Sequence, residues 1–168
     1  MRFIIFLILV LACVPVVLGQ AVTSFTGGTS YNSYHGGIIA GDVIGWRFTV
    51  NQQIEVSDLG VWNNDTAGGG GMDTPHPVGI WDESQAFVCS VTVDVTGTVV
   101  GDWIYGSITP VILNTGETYT IGVEYYSDDD DSYISGASTM STDPDVTWVN
   151  AVYPFEGDLG FVYPILDS

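Results

Sequence analysis

Apolar and polar side chains alternate with a period of two along much of the chain, most clearly from Glu117 to Tyr126. Such alternation places one side of an extended chain against a core and the other side in solvent, as in an antiparallel strand. The segment therefore predicts a half-buried strand. Its inward side chains are Tyr119, Ile121, Val123 and Tyr125.

The same pattern recurs in other segments. Ile44–Val50 repeats it, with Trp46 predicted to point inward and Arg47 outward. The runs are short and rich in aromatic and β-branched residues, which is typical of strands. The further candidate strands are Val22–Phe25, Ile54–Trp62, Val78–Trp81, Trp103–Leu113, Tyr133–Ser135, Val146–Tyr153 and Phe161–Ile165.

The segments between these runs are rich in Gly, Asn, Asp, Ser and Pro, and no segment has the 3.6-residue apolar spacing of a helix. Short strands at intervals of about ten residues predict an all-β fold, an antiparallel two-sheet β-sandwich that is jelly-roll-like. A closed β-barrel is the alternative, because a barrel also buries one face of every strand.

The first residues have the features of a secretory signal peptide. Met1–Arg2 is followed by the apolar run Phe3–Leu18, and small residues precede a cleavage point between Gly19 and Gln20. We expect residues 1–19 to be removed and residues 20–168 to form one exported domain without a membrane span. The run is short for a bilayer span and Pro15 interrupts it. Lipid attachment at Cys13 is the alternative.

Cleavage of the leader leaves Cys89 as the one cysteine of the mature chain. Phe87, Cys89 and Val91 alternate with polar residues as far as Val95, which places the thiol on the apolar face of a predicted strand. We interpret Cys89 as a core residue and not as a nucleophile.

The charge is strongly negative. The chain has a formal net charge of -18 with 20 acidic residues, and loss of Arg2 with the leader leaves Arg47 as the single cationic side chain and a charge of -19. Such a surface repels phosphates and lacks the cations that displace counterions, so nucleic acid is excluded as a partner. Acidity of this kind is typical of proteins that stay hydrated in concentrated salt.

Two acidic loops are candidates for a structural calcium ion, which prefers six to eight oxygen ligands. One loop, between the strands ending at Trp62 and beginning near Val78, contains the glycine run Gly68–Gly71. The other contains Asp128–Asp131. A solvated acidic turn is the alternative in both cases. The candidate ligands are Asp128, Asp130, Ser132, Asp65 and Asp73.

No catalytic residue is predicted. The only histidines are His35 and His76, and neither lies in a nucleophile-elbow sequence. His76 precedes Pro77, where we expect a structural turn contact, and no spacing supports a zinc site with Asp73. The paired carboxylates of a glycoside-active enzyme have no recognisable spacing in a sandwich, so this function ranks third.

Aromatic residues that do not fit the inward registers form the candidate binding face. The chain has 5 Trp and 9 Tyr, and exposed rings bind sugars by stacking against their apolar faces. Ordinary packing is the alternative for these rings. The candidate ligand-binding residues are Trp62, Tyr126, Tyr133, Tyr31 and Tyr34.

Several segments resemble a family of exported bacterial β-sandwich domains of unknown function, and the resemblance covers about Gly41 to Ser135. The segments are Gly45-Trp46-Arg47-Phe48-Thr49-Val50, His76-Pro77-Val78-Gly79-Ile80-Trp81-Asp82, Ser90-Val91-Thr92-Val93, Tyr105-Gly106-Ser107-Ile108-Thr109-Pro110-Val111 and Thr118-Tyr119-Thr120-Ile121-Gly122. Members occur in surface proteins with sorting signals and beside fibronectin-like or carbohydrate-active modules. The resemblance implies an extracellular, non-catalytic module and carries over no catalytic residue.

We therefore expect a secreted binding or surface module, with a glycan as the favoured ligand class and calcium as a candidate structural ion. A structural or adhesive component of an extracellular matrix or envelope is the alternative. These functions share one fold, so the fold alone does not separate them.

Overall fold

Extended strands make up most of the structured chain. The computed structural model describes residues 19–32, 41–63, 71–126, 131–153, 160–164 and 166–167, and in these residues it contains eleven strands and no helix. The strands are β1 (Val22–Asn32), β2 (Asp42–Val50), β3 (Ile54–Trp62), β4 (His76–Asp82), β5 (Phe87–Val93), β6 (Thr98–Val100), β7 (Trp103–Leu113), β8 (Thr118–Tyr125), β9 (Ser132–Thr142), β10 (Val146–Tyr153) and β11 (Leu166–Asp167).

The strands form a large sheet, a small sheet and a two-stranded ribbon, all antiparallel. The large sheet has the order β11-β10-β2-β8-β4-β5, the small sheet β3-β7-β6, and β1 pairs with β9 in the ribbon. The chain crosses between the two sheets after β2, β3, β5 and β7. The all-β sandwich prediction is confirmed, and the sheets do not close into the alternative barrel.

The hydrophobic core lies between the large and small sheets. Phe48 of β2 is paired with Tyr119 of β8, and both pack in one cluster with Leu59 of β3 and Leu113 of β7. Burying an aliphatic side chain of this size stabilises the fold by about 1.5–3 kcal/mol. The predicted inward registers of β2 and β8 are confirmed, but β8 is not half-buried as predicted, because Thr120 and Glu124 on its other face are buried too. The other buried members of the cluster are Val50, Val61, Val78, Ile80, Val93, Ile104 and Val146.

The predicted register of β5 is wrong at both ends. Ile80 pairs with Cys89 but Trp81 pairs with Phe87, so Val88 is the extra residue of a β-bulge. The bulge turns Phe87 to the face opposite Cys89, where its side chain is 52% exposed, and Val95 lies beyond the end of the strand. Cys89 packs against the core as expected, and burial raises the pKa of its thiol.

The segment Phe161–Ile165 does not form the predicted strand over its described residues. Residues 160–164, the C-terminal strap, lie instead against the outer face of the large sheet. The Phe161 ring packs 5.2 Å from the Trp81 ring, and the Tyr163 hydroxyl accepts a hydrogen bond of 2.9 Å from Arg47. Trp81 is therefore only 4% exposed, although it points away from the core between the sheets.

Glycines make this close packing possible. Gly79 and Gly122 are paired in register on the face that the strap covers. A Cβ atom at Gly79 would lie 2.8 Å from the Phe161 ring, and one at Gly122 would lie 2.6 Å from Val43. These distances exclude larger side chains without a shift of their neighbours.

No helix in the described part of the chain is long and apolar enough to cross a membrane.

Candidate functional site

The described ends of the two acidic loops meet at one end of the sandwich, which we call the loop end. The loop from β3 to β4 and the connection from β8 to β9 are joined there by Asp131, whose side chain is buried with 2% of the residue exposed. Asp131 Oδ1 accepts the backbone N–H of Asp73 at 2.7 Å, and Oδ2 accepts the N–H of Thr74 at 3.0 Å. One carboxylate therefore joins Asp73 and Thr74, just before β4, to the start of β9.

His76 completes this contact from the first position of β4. Its side chain is fully buried, with Nδ1 2.7 Å from the Glu124 backbone oxygen and Nε2 2.7 Å from Asp131 Oδ2. A backbone carbonyl only accepts hydrogen bonds, so Nδ1 carries a proton. The other ring nitrogen, Nε2, faces the Asp131 carboxyl group, so both ring nitrogens are engaged.

Tyrosine rings surround the His76–Asp131 pair. The Tyr125 ring lies 4.8 Å from the imidazole, and the Tyr126 ring stacks at 6.0 Å with an interplanar angle of 14°. Tyr126 also donates a hydrogen bond of 3.3 Å to Glu124 Oε2. Tyr133 packs 5.9 Å from Tyr125. Tyr126 and Tyr133 are both half-buried, so each presents part of its ring at the loop end.

Two of the predicted ligand-binding residues, Tyr126 and Tyr133, are therefore brought to one place, and Trp62 is not. Trp62 pairs with Trp103 on the outer face of the small sheet and contacts the Phe25 ring edge-on at 5.8 Å. Tyr31 pairs with Tyr133 in the ribbon, but its side chain lies outside the described part. Tyr34 lies outside the described residues altogether.

The predicted calcium ligands are only partly described. The Asp73 side chain is exposed and accepts a hydrogen bond of 3.1 Å from the Thr74 hydroxyl. Ser132 begins β9 without a described side chain, and Asp65, Asp128 and Asp130 lie outside the described residues. Within the described ranges no three metal-ligating side chains form a group. Calcium binding stays a prediction.

Sequence reasoning missed the role of Asp131. It belongs to a run of four aspartates, which is usually a solvated turn, and its partner His76 is 55 positions away. The sequence signal that could have identified Asp131 was its position directly before β9, because it is the aspartate of the run that lies nearest to a strand. His76 has a structural contact, but with residues 48 and 55 positions away and not in the local turn that was expected.

The fold and this site define an antiparallel β-sandwich whose two acidic loops are joined by a buried carboxylate–imidazole pair. No family model matches the chain, and no curated protein or solved structure is significantly similar to it. Its function must therefore be inferred from the loop end itself.

Proposed function

We propose that the protein is an exported, non-catalytic binding module whose loop end takes a glycan. The observation that carries the proposal is the Asp131 contact, which joins Asp73 and Thr74 to the start of β9 beside the half-buried rings of Tyr126 and Tyr133. Backbone that is already held by hydrogen bonds lowers the entropic cost of binding, because fewer groups must be ordered by the ligand.

Burial of the polar pair supports binding over catalysis. Both ring nitrogens of His76 are engaged, and the side chain is 0% exposed. A general base must come within hydrogen-bond reach of the proton that it removes. His76 does not reach a ligand in this arrangement, so it supports the site by holding the loops.

The chemistry of the loop end favours a neutral sugar. Tyrosine rings offer apolar faces for stacking, and their hydroxyls and the loop backbone offer hydrogen bonds. A net charge of -18 disfavours phosphorylated or strongly anionic ligands. The negative charge does not repel a neutral or cationic glycan.

A glycan array tests the proposal, using the full-length chain secreted with its own leader. We expect binding by the wild type and a loss of about two- to tenfold in affinity for Tyr126→Ala or Tyr133→Ala, the size of one aromatic stacking contribution. Trp148→Ala is the matched control, because Trp148 is 38% exposed on β10 and lies outside the His76–Asp131 contacts.

The array is run with calcium and with a chelator, so that the predicted structural ion is tested at the same time. Equal loss of binding in Trp148→Ala would place the sugar elsewhere on the domain. Binding to no glycan in either condition would refute the proposal and favour the structural or adhesive alternative.

A further inference from the structure

Gln20 is tied to the small sheet by its side chain. Its Nε2 donates a hydrogen bond of 2.9 Å to the Tyr105 hydroxyl oxygen and lies 3.4 Å from the Val100 carbonyl oxygen. Tyr105 belongs to β7 and Val100 to β6. The side-chain amide therefore joins Gln20, which lies two residues before β1, to two strands of the small sheet.

The acceptor is held firmly in place. The Tyr105 ring lies directly across Gly60, where an added Cβ atom would be 2.6 Å from the ring. Burial is the largest cause of a raised pKa for Tyr105, so its phenol stays protonated well above neutral pH. The hydroxyl oxygen accepts the Gln20 amide with its proton still bound.

Gln20 is also the residue that leader cleavage would make N-terminal. An N-terminal glutamine has a reaction that an internal one lacks. Its α-amine attacks its own Cδ, the N–Cδ bond forms, the Cδ–Nε2 bond breaks and ammonia leaves with a proton from the amine. The product is a five-membered lactam, pyroglutamate, and the step needs no oxidant or cofactor.

Anchoring and cyclisation compete for the same atom. Ring closure expels Nε2, which is the donor of both contacts to the small sheet. We propose that Gln20 is a modification site, converted to pyroglutamate after leader cleavage, and that the Tyr105 contact slows this conversion in the folded protein. The inference rests on the export proposed above and does not depend on the ligand.

Loss of the Gln20 side-chain contacts leaves β1 in place. Val22 is buried with 8% exposed, and Phe25 packs on Trp62. These contacts involve no atom of the lactam. Cyclisation therefore changes the first residue and removes the charge of the terminal amine without releasing the ribbon.

Mass spectrometry of the secreted full-length chain tests the inference. We expect a product that begins at Gln20 and slowly loses the mass of one ammonia at neutral pH. Tyr105→Phe removes the hydroxyl acceptor and is expected to cyclise about fivefold faster, the change that loss of one net hydrogen bond gives. Tyr153→Phe is the control, because Tyr153 is 42% exposed on β10.

A peptide with the sequence of residues 20–27 gives the rate for an unanchored glutamine. The inference is overturned by a product that starts elsewhere, including at a lipid-modified Cys13, or by wild-type protein that cyclises as fast as the peptide. If Tyr105→Phe does not fold, the comparison of wild-type protein with the peptide still tests whether the fold slows cyclisation of Gln20. A product that starts at Gln20, cyclises slowly and binds no glycan would refute the proposed function alone.

Discussion

At the scale of single residues, burial gives Asp131 its role. A carboxylate is stable in the interior only when it is paired and hydrogen-bonded, and Asp131 meets both conditions through His76 and two backbone N–H groups. Three of these partners lie more than fifty positions away in sequence. Residue spacing contains no information about such contacts, so the sequence identified the acidic loops but not the carboxylate that joins them.

Asp131→Asn should destabilise the protein strongly. The amide keeps the shape of the side chain but loses the charge-assisted bonds, so we expect the free energy of unfolding to fall by about 2–4 kcal/mol. Urea denaturation measures the change. The exposed Asp73→Asn is the control, expected to stay within about 0.5 kcal/mol of wild type. Equal effects at the two positions would contradict the assignment of Asp131 as the joining residue.

Cys89 should react slowly in the folded protein. Its raised pKa lowers the thiolate fraction, and the thiolate is the reactive form. A thiol reagent at mildly alkaline pH is expected to label the native protein at least several-fold more slowly than the urea-unfolded protein. Because the folded state holds the thiol proton more tightly, this group's contribution to stability is present at neutral pH and is lost as the pH rises through the raised pKa. Equal labelling rates would contradict the partly buried placement of Cys89 against the core.

At the scale of elements, alternation predicted most strands but did not predict irregularities. The bounds of β3, β7 and β10 are those that the pattern gives, although register shifts interrupt the pairing within each of them. The orientation predicted for Phe87 is wrong because the bulge at Val88 reverses the alternation within one strand. Phe161 and Tyr163 are spaced as in a strand. In the strap this spacing places both rings on the same side, where they pack against Trp81 of the large sheet.

Gly79→Ala tests how closely the strap packs. The added Cβ would lie 2.8 Å from the Phe161 ring and 3.0 Å from the Phe87 ring, so we expect a loss of about 1–3 kcal/mol in the free energy of unfolding. Phe161→Leu offers a smaller side chain at the contact. If the strap packs as described, the cost of Gly79→Ala is smaller in the Phe161→Leu background, and strict additivity of the two changes would argue against the contact.

At the scale of the whole molecule, the surface carries a large excess of one charge. The formal net charge is -18. Exposed carboxylates repel each other, and dissolved salt screens this repulsion. The sequence alone gives this property, because it depends on composition and not on the arrangement of the strands. The fold adds that two acidic residues of the described part, Glu124 and Asp131, are buried, and that Asp131 is paired there with His76.

The melting temperature should rise with sodium chloride, because screening weakens the repulsion in the folded state. Thermal unfolding in sodium chloride and in calcium chloride at equal ionic strength separates screening from binding. Equal rises indicate screening alone, and a larger rise in calcium supports the predicted structural ion. A melting temperature that does not change with either salt would contradict the role assigned to the surface charge.

The C-terminal strap also affects the order in which the chain completes its fold. Residues 160–164 follow β1 to β10 in the sequence, yet they cover Trp81, Gly79 and Thr120 on the large sheet. Until these residues have been synthesised, that face of the sheet stays open to water and the apolar surface around Trp81 is uncovered. The large sheet is thus covered on its outer face only after residues 160–164, close to the C-terminal end of the sequence, have been made.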